Sequence, residues 1–386
     1  MSEMNLANQF FNGEFHGEVP RSAADINPLK ITEIPELSKQ GYKLLKGNKI
    51  VEAVDCFNRI LEVDNENNYA LVGMGDAARK RGGFREAVSY YQRCLDRHPG
   101  NNYALFGLAD CYKALNQFHK AIEIWEQYLL HDNTNITVLT RVADAYRKIR
   151  NFKHSKTVYL RVLEMENQNP YAIIGLGHLH YDFKEYRDAL FYWEKMFETN
   201  REGVDIRVLT SIGNCHRKLK TFGDGIIYFE MALRREPCNF YALFGLADCY
   251  RGMNQQDRSL EYWNRILEQD PRNKVILTRA GDAYRHLEQY EKAVDYYERA
   301  LNIEFDIYAV LGLALVAKAE GRYAEAAESL GRLIQQEPRN YRLYLELSEC
   351  YLKQGDRRQA QEILEKFQHL GIRSQAITEM IERIKD

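Results

Sequence analysis

The sequence predicts an all-α solenoid of about ten helix–turn–helix units that ends in a C-terminal capping helix. Long segments recur almost unchanged, such as NYALFGLADCY from Asn102 and FYALFGLADCY from Phe240. Small and aromatic residues return every 34 residues, and only 8 prolines interrupt 386 residues. A single core rarely grows beyond roughly 250–300 residues, so a repeat array also accounts for the length.

Three positions of the 34-residue unit define the repeat when a small residue is placed at position 8. Position 8 is occupied by Gly41, Gly75, Ala109, Ala143, Gly177, Gly213, Ala247, Gly281, Ala314 and Ser348. Position 20 is occupied by Ala53, Ala87, Ala121, Ser155, Ala189, Gly225, Ser259, Ala293, Ala326 and Ala360. Position 24 is occupied by Phe57, Tyr91, Trp125, Tyr159, Trp193, Phe229, Trp263, Tyr297, Leu330 and Leu364.

This pattern predicts two short amphipathic helices in each unit, joined by a turn. Positions 8 and 20 lie where the two helices approach closely, so only a small side chain fits there. The large residue at position 24 fills the space that the small residues leave. Units three, five, seven and nine open alike, and units four, six and eight open differently, so a longer period of about 68 residues is superimposed.

The predicted organisation has three parts. Residues 1–33 form an N-terminal arm that contains Phe10, Phe11 and Phe15, and residues 34–371 form the array. The ten units are expected at 34–67, 68–101, 102–135, 136–169, 170–205, 206–239, 240–273, 274–306, 307–340 and 341–371. In residues 372–386, Ser374 precedes a helical pattern that places Ile377, Met380, Ile381 and Ile384 on one face, as a capping helix requires.

The chain resembles the tetratricopeptide repeat (TPR) family over residues 34–386. The resemblance rests on the small residues at positions 8 and 20, on tyrosines at position 11 such as Tyr112 and Tyr250, and on prolines at position 32 such as Pro99. It departs from the family in lacking Trp at position 4. The resemblance implies a right-handed superhelix with a concave groove, lined by positions 2, 5, 9, 12 and 13 of each first helix.

These groove positions carry the candidate binding residues, which are aromatic, threonine, acidic and basic in a regular order. They are Tyr103, Phe106, Asp110, Lys113, Thr140, Asp144, Arg147, Lys148, Tyr171, His178, Arg207, Asn214, Arg217, Tyr241, Phe244, Asp248, Arg251, Asp282 and Arg285. Over ten units the groove positions hold 14 basic and 7 acidic residues, a difference of +7. Tyrosine and arginine are enriched at binding hot spots, so a peptide or protein segment of acidic character is the expected ligand.

A second interpretation of the same residues is structural. Aspartate at position 9 lies three or four residues before arginine or lysine at positions 12 and 13. Such pairs can form along one helix and are worth roughly 0.2–0.5 kcal/mol each. The sequence leaves open how much of the basic surface is used in this way.

Composition narrows the class of protein. The formal net charge is −2, whereas nucleic-acid binders are normally basic. No run approaches the ~20 apolar residues of a membrane span, and the N-terminus has no signal-peptide pattern. Seven cysteines without a CxxC pair argue against a zinc site or a disulfide framework, so a cytoplasmic location is expected.

An interaction scaffold or adaptor is therefore the leading functional prediction. The repeats and the capping helix leave no room for a catalytic domain. No catalytic or dinucleotide-binding motif occurs in the sequence, and no cofactor is expected. Two alternatives stay open. One is a self-assembling scaffold whose arm docks into a groove; the other is an RNA-binding helical repeat, against which the regular aspartates speak.

Two further site types are considered and disfavoured. Three histidines at positions 178, 180 and 216 suggest a metal site, but His180 and His216 stand in the position-11 tyrosine slot and are expected to be polar core residues. The clamp that some TPR proteins use for chaperone carboxylates needs Lys at position 5. No unit of this sequence has lysine there.

Overall fold

The computed structural model describes residues 33–199, 201 and 203–385, and in these residues the chain forms 21 α-helices and no strand. The chain divides into two compact units, residues 1–167 and 168–386. The first unit contains α1 (Ile34–Lys46), α2 (Ile50–Val63), α3 (Asn68–Lys80), α4 (Phe84–Arg97), α5 (Asn102–Ala114), α6 (Phe118–His131), α7 (Ile136–Lys148) and α8 (Phe152–Met165). The predicted arm lies outside the described residues, apart from Glu33.

The second unit contains the remaining helices. They are α9 (Pro170–Asp182), α10 (Tyr186–Thr199), α11 (Ile206–Leu219), α12 (Phe222–Arg235), α13 (Phe240–Gly252), α14 (Gln256–Gln269), α15 (Lys274–His286), α16 (Tyr290–Leu301), α17 (Ile307–Ala319), α18 (Tyr323–Gln336), α19 (Tyr341–Lys353), α20 (Arg357–Gln368) and α21 (Gln375–Lys385). Helices α1 to α20 alternate as the first and second helix of a pair, as the all-helical repeat prediction requires.

Asparagine marks the start of most first helices. The side chains of six asparagines accept a hydrogen bond from the backbone N–H three residues later, which satisfies one of the free donors at the helix start. They are Asn67, Asn101, Asn135, Asn169, Asn239 and Asn273. Asp205 and Asp306 cap α11 and α17 through the N–H two residues later.

The turn inside each pair uses a left-handed residue at position 15. This position has positive φ in every pair, and Gly82, Gly321 and Gly355 occupy it in three of them. Asparagine, lysine, arginine or glutamate occupies it elsewhere; the residues are Asn48, Asn116, Arg150, Lys184, Lys220, Asn254 and Glu288. Glycine adopts a positive φ without steric cost. Within the turn, the positive φ is confined to position 15: Gly82 has it, and the next residue, Gly83, has a negative φ.

The aromatic side chain at position 24 explains the 68-residue period. In the first unit, a Cβ added at Gly107 would lie 2.3 Å from Cζ of Tyr91, which belongs to the preceding pair. In the second unit, a Cβ at Gly312 would lie 2.2 Å from Cζ of Tyr297. Gly73 and Gly245 lie equally close to the rings of Phe57 and Phe229, so position 6 must be glycine where a phenylalanine or tyrosine ring of the preceding pair packs against it.

The last helix packs on the final pair of the second unit. Ile377, Ile381 and Ile384 of α21 are buried in a cluster that includes Leu347 and Leu364 of α19 and α20. Met380 is partly buried against the same cluster. The helix therefore covers apolar surface that the last pair would otherwise leave exposed.

Candidate functional site

The first helix of a pair contacts the second helix of its own pair and also the first helix of the neighbouring pair. In the first unit α1 contacts α3 and α3 contacts α5; in the second, α11 contacts α13 and α15 contacts α17. Side chains at positions 2, 5, 6, 9, 12 and 13 of these helices form what we call the first-helix surface. This definition adds position 6 to the five positions chosen from the sequence.

A cluster of two arginines, one aspartate and one phenylalanine lies on the first-helix surface of the first unit. Nη1 of Arg141 is 2.5 Å from Oδ1 of Asp110, and Nη1 of Arg79 is 3.7 Å from Oδ2. The Arg141 guanidinium also lies over the Phe106 ring, 5.0 Å from its centroid. We call these four residues the Asp110 cluster. It joins three consecutive pairs, because Arg79, Asp110 and Arg141 come from α3, α5 and α7.

The second unit contains an equivalent cluster around Asp248. Carboxylate oxygens of Asp248 lie 2.5 Å from Nη1 of Arg217, 2.7 Å from Nη2 of Arg251 and 3.3 Å from Nη1 of Arg279. The guanidinium groups of Arg217 and Arg279 lie 5.8 and 5.1 Å from the centroid of the Phe244 ring. These five residues, the Asp248 cluster, join α11, α13 and α15.

The two clusters occupy the same repeat positions. Phenylalanine stands at position 5 and aspartate at position 9, while the flanking arginines stand at position 12 of the preceding pair and position 6 of the following pair. Asp110 and Asp248 are 138 residues apart in the sequence. Each compact unit therefore carries one copy of the same arrangement.

The two aspartates differ in their ionisation. Burial raises the pKa of Asp110 above its ordinary value, although the charges of Arg141 and Arg79 oppose this effect. Burial also acts on Asp248, but hydrogen bonds and charges from Arg251 and Arg217 outweigh it and lower its pKa. Arg217, Arg251 and Arg279 all donate hydrogen bonds to Asp248, whereas one arginine, Arg141, donates to Asp110, and this difference accounts for the opposite outcomes.

The remaining aspartates at position 9 are held by tyrosine hydroxyls. Tyr91 donates to Asp76 at 2.7 Å, Tyr159 to Asp144 at 3.1 Å and Tyr297 to Asp282 at 2.8 Å. Each tyrosine comes from position 24 of the same pair, whereas the Asp110 and Asp248 pairs have tryptophan at that position. A tryptophan offers no hydroxyl group, and arginines from neighbouring pairs hold the aspartate instead.

The predicted pairing along single helices also occurs. Nη2 of Arg147 is 2.9 Å from Oδ1 of Asp144, and Nη2 of Arg285 is 3.8 Å from Oδ1 of Asp282. Arg217 donates from Nε to Oδ1 of Asn214 at 3.2 Å. The side chains of Arg147, Arg217 and Arg285 are mostly buried by these contacts, so their charges are largely engaged within the protein.

Other candidate residues are open to solvent. Tyr103, Tyr171 and Tyr241 at position 2 are 54%, 60% and 67% exposed, and Tyr308 is exposed in the same way. Lys148 and Arg251 are exposed and Lys113 is half-buried. These side chains are more accessible to a ligand than the mostly buried Arg147, Arg217 and Arg285.

Three candidates make local contacts of other kinds. Arg207 pairs with Asp205 at the start of its own helix, at 2.5 Å. The Thr140 hydroxyl donates to the backbone carbonyl of Thr137. His178 is exposed and lies edge-on to Trp193, with ring centroids 5.3 Å apart.

Sequence reasoning missed Arg141 and Arg279 as members of the site. Both stand at position 6, which the family resemblance does not count among the groove positions. Arg279 also lies over the Trp263 ring, 5.7 Å from its centroid. A signal was present, because arginine occupies position 6 in the two pairs that follow a Phe–Asp–Trp pair.

The histidines considered as metal ligands make separate hydrogen bonds within the fold. His180 and His216 are buried, and their Nδ1 atoms lie 2.6 Å from Oε2 of Glu185 and 2.8 Å from Oγ1 of Thr221. Within the described part of the chain, one group could hold a metal ion, namely His180, Glu185 and Asp188, whose two carboxylates are exposed. The hydrogen bond to Glu185 already accounts for the orientation of His180.

None of the helices in the described residues is long and apolar enough to cross a membrane.

Comparison of the sequence with family models identifies the repeats. Four models described as tetratricopeptide repeat match residues 72–135, 241–273, 275–306 and 317–367. The chain belongs to the tetratricopeptide repeat family. TPRs are generally a non-catalytic fold that interacts with other proteins. No curated protein sequence matches the chain.

Solved structures are similar to this chain at low identity. A TPR protein from Parabacteroides merdae is 16% identical, with 74% of this chain and 99% of that chain covered and a TM-score of 0.42. Yeast Tom70 is 14% identical; the match covers 92% of this chain and 96% of Tom70, with a TM-score of 0.41. YrrB, described as a TPR protein with an unusual peptide-binding site, is 20% identical. The match covers 48% of this chain and 95% of YrrB, with a TM-score of 0.42. The family assignment rests on the four sequence matches.

Proposed function

We propose that this TPR protein is a non-catalytic scaffold that binds acidic, aromatic-containing protein segments on its first-helix surface. The observation that carries the proposal is the duplicated cluster, in which arginines lie over a phenylalanine ring and are paired with a mostly buried aspartate. A fixed guanidinium loses little side-chain entropy when it binds a carboxylate. Each compact unit carries one copy of the cluster and so offers its own attachment point for such a segment.

The Asp248 cluster has more positive than negative charge. Three arginines surround one carboxylate, and the desolvated guanidinium of Arg279 has a pKa lowered by burial and by the charges of Arg251 and Arg217. A ligand carboxylate placed beside Arg251 and Arg279 would relieve this repulsion. Charge-assisted hydrogen bonds of this kind are about twice as strong as neutral ones.

The exposed tyrosines supply the apolar part of the proposed surface. Tyr103 lies one helical turn before Phe106, and Tyr241 one turn before Phe244, so each cluster has an exposed aromatic ring beside it. Exposed tyrosine offers a large contact area at low entropic cost. A ligand with aromatic and acidic residues a few positions apart would match both elements.

The described titratable groups give little support to catalysis. Burial raises the pKa of the Cys111, Cys215 and Cys249 thiols to about 12 in each case, which disfavours the nucleophilic thiolate. The aspartates of the two clusters are engaged by arginines. These observations favour an interaction surface over an enzyme active site.

A peptide-display selection on the full chain tests the proposal. Enriched peptides are expected to combine Asp or Glu with Phe, Tyr or Trp. A variant with Lys113→Glu, Lys148→Glu and Lys218→Glu, the last an exposed position-13 residue of α11, should bind the selected peptides about tenfold or more weakly, a loss of about 1.4 kcal/mol or more. These positions are preferred over Arg147, Arg217 and Arg285, because reversing the charge of the latter would break internal ion pairs.

The matched control reverses three exposed basic residues on second helices, Arg85→Glu, Lys153→Glu and Arg187→Glu. It changes the net charge by the same amount, and we expect it to alter peptide affinity less than about twofold. Equal weakening by both variants would mean that overall charge, not the first-helix surface, governs binding. Selection of peptides without acidic residues would contradict the proposed ligand class.

RNA binding, the alternative left open by the sequence, is less well supported by the contacts. An RNA backbone needs a continuous row of available cations, whereas the described arginines at positions 6 and 12 are engaged by aspartates or asparagine. Retention on poly-U at about 150 mM salt, abolished by the first-helix variant and not by the control, would favour RNA over a peptide.

A further inference from the structure

We propose that residues 8–18 of the chain itself bind the first-helix surface of the first unit, beside the Asp110 cluster, and compete there with external ligands. The inference rests on the proposed function, because it assigns an internal occupant to the same surface. These residues lie outside the described part of the chain. Their chemistry and their distance along the chain from that surface carry the proposal.

The segment has the composition that the surface selects. Phe10, Phe11 and Phe15 fall within six residues, and Glu14 and Glu18 stand beside them. Residues 1–20 contain three glutamates, the third being Glu3, and neither lysine nor arginine. An aromatic, acidic segment is thus joined to an aromatic, basic surface.

The proposed receptor surface has an exposed ring and a cation on one helix, about 15 Å apart along its axis. Tyr103 is 54% exposed on α5. Lys113 lies on the same helix, close enough to lower the pKa of both Asp110 and Asp144 by its charge. We place a phenylalanine of the segment against Tyr103 and Glu14 or Glu18 near Lys113 and Arg141.

The length of chain between segment and surface fits this placement. Helix α5 is separated from α1 by α3, with direct contacts at each step. Packed helices lie about 8–10 Å apart, so α5 is about 20 Å from α1. Phe15 precedes Ile34 by 19 residues, and a chain of that length can span at most roughly 60 Å, which is enough to reach α5.

A short covalent tether can give a segment an effective concentration in the range of about a millimolar. Weak intrinsic affinity would therefore suffice to occupy the surface. External segments would have to bind more tightly than the internal one, so the arm would set a threshold for partner binding.

Hydrogen exchange of the full chain, read by mass spectrometry, tests the proposal. Backbone amides of residues 8–18 are expected to exchange several-fold to about tenfold more slowly than in a synthetic peptide of residues 1–32. The variant Tyr103→Ala with Lys113→Glu should bring exchange to the free-peptide rate. The equivalent variant in the second unit, Tyr241→Ala with Arg251→Glu, changes the same repeat positions and should leave the slow exchange intact.

A second pair of variants avoids changes in the folded repeats. Phe10→Ser, Phe11→Ser and Phe15→Ser together should abolish the slowing without altering the melting temperature. Glu14→Lys with Glu18→Lys should weaken it, and adding Lys113→Glu should partly restore it. Free-peptide exchange rates in the unmodified chain would overturn the proposal, as would equal loss of slowing in the first- and second-unit variants.

Concentration separates binding within one chain from binding between chains. Slow exchange that is independent of protein concentration, at a constant monomer mass, supports the proposal. Slow exchange that appears only as the mass doubles would overturn it in favour of exchange of arms between copies. Selected peptides that bind tightly while residues 8–18 exchange freely would refute this inference and leave the proposed function standing.

Discussion

At the scale of single residues, Asp110 and Asp248 illustrate how one repeat position acquires two environments. Both carboxylate side chains are only 10% exposed, but Asp248 has three arginine partners and Asp110 has two. The additional partner tips the balance between desolvation and charge attraction. The two pKa values therefore move in opposite directions, which gives the two residues opposite links between pH and stability.

We expect Asp248→Asn to lower stability by roughly 1–3 kcal/mol at about pH 7, as is typical of hydrogen bonds to charged groups. Because the pKa of Asp248 is lowered from 3.8 on folding, its stabilising effect is present above that unfolded value. The effect is lost as the pH falls through the lower folded value. The difference between the wild type and Asp248→Asn should thus shrink in acid.

Asp110→Asn is the matched comparison. The pKa of Asp110 is raised on folding, so its ionised form lowers stability, and that penalty disappears as the pH falls through the raised value. We expect Asp110→Asn to be less destabilising at neutral pH than Asp248→Asn. Thermal unfolding between about pH 7 and pH 2 measures both; parallel pH profiles for the two variants would contradict this account.

At the scale of the helix, asparagine at the N-cap decides where most first helices begin. Asn101 accepts a hydrogen bond from the N–H of Ala104 at 3.0 Å. Asn340 stands at the same repeat position, but its side chain makes no cap bond and donates instead to Glu337 at 2.9 Å. Asparagine therefore stabilises the helix start at position 101 and not at position 340, although the sequence pattern is the same at both.

We expect Asn101→Ala to destabilise the start of α5 by about 1 kcal/mol and Asn340→Ala to cost a few tenths of that amount. The reason is that only Asn101 satisfies a backbone donor at the helix start. Hydrogen exchange of the first-turn amides of α5 and α19 reports each helix separately. Equal acceleration in the two variants would show that the cap bond contributes little.

At the scale of the molecule, each pair depends on its neighbours for burial, so the array needs a terminal cover. In the second unit α21 supplies it with Ile377, Ile381 and Ile384, all buried against the last pair. Repeat proteins lose stability locally when a neighbour is removed, because each interface is formed only with adjacent repeats.

We expect Ile377→Ser to cost about 2–4 kcal/mol, the usual range for emptying a buried aliphatic site. The loss should be concentrated in α19, α20 and α21. Glu382→Ser on the exposed face of α21 is the control and should stay within about 0.5 kcal/mol. Hydrogen exchange resolved by helix measures both, and uniform acceleration over the second unit would argue against a local cover.

Much of this architecture could be read from the residues. Small residues at positions 8 and 20 and a large one at position 24 indicate helix pairs, because that combination packs well in few other arrangements. The TPR family was recognised on the same pattern, and the family models confirm it. The fold class depends on the spacing of small and large residues within a helix pair, and that spacing can be read directly from the sequence.

The candidate site was only partly visible. The sequence indicated that aspartate at position 9 and arginine at position 12 share one face, since they lie three residues apart on a helix. It did not indicate that Arg141 and Arg279 at position 6 reach back 31 residues to Asp110 and Asp248. Contacts between adjacent pairs depend on how the helices pack, and no periodicity within one helix reports them.

The sequence by itself determined the all-helical repeat, the alternation of two kinds of pair and the residue types that face outward from the first helices. Only the tertiary structure decided which of these charges are engaged inside the protein and which are open to a ligand. The physical reason is that burial and partner distance, not residue type, set the cost of removing a guanidinium or carboxylate from its neighbours. Arg217 and Arg251 differ in this respect, with side-chain exposures of 17% and 46% beside the same aspartate.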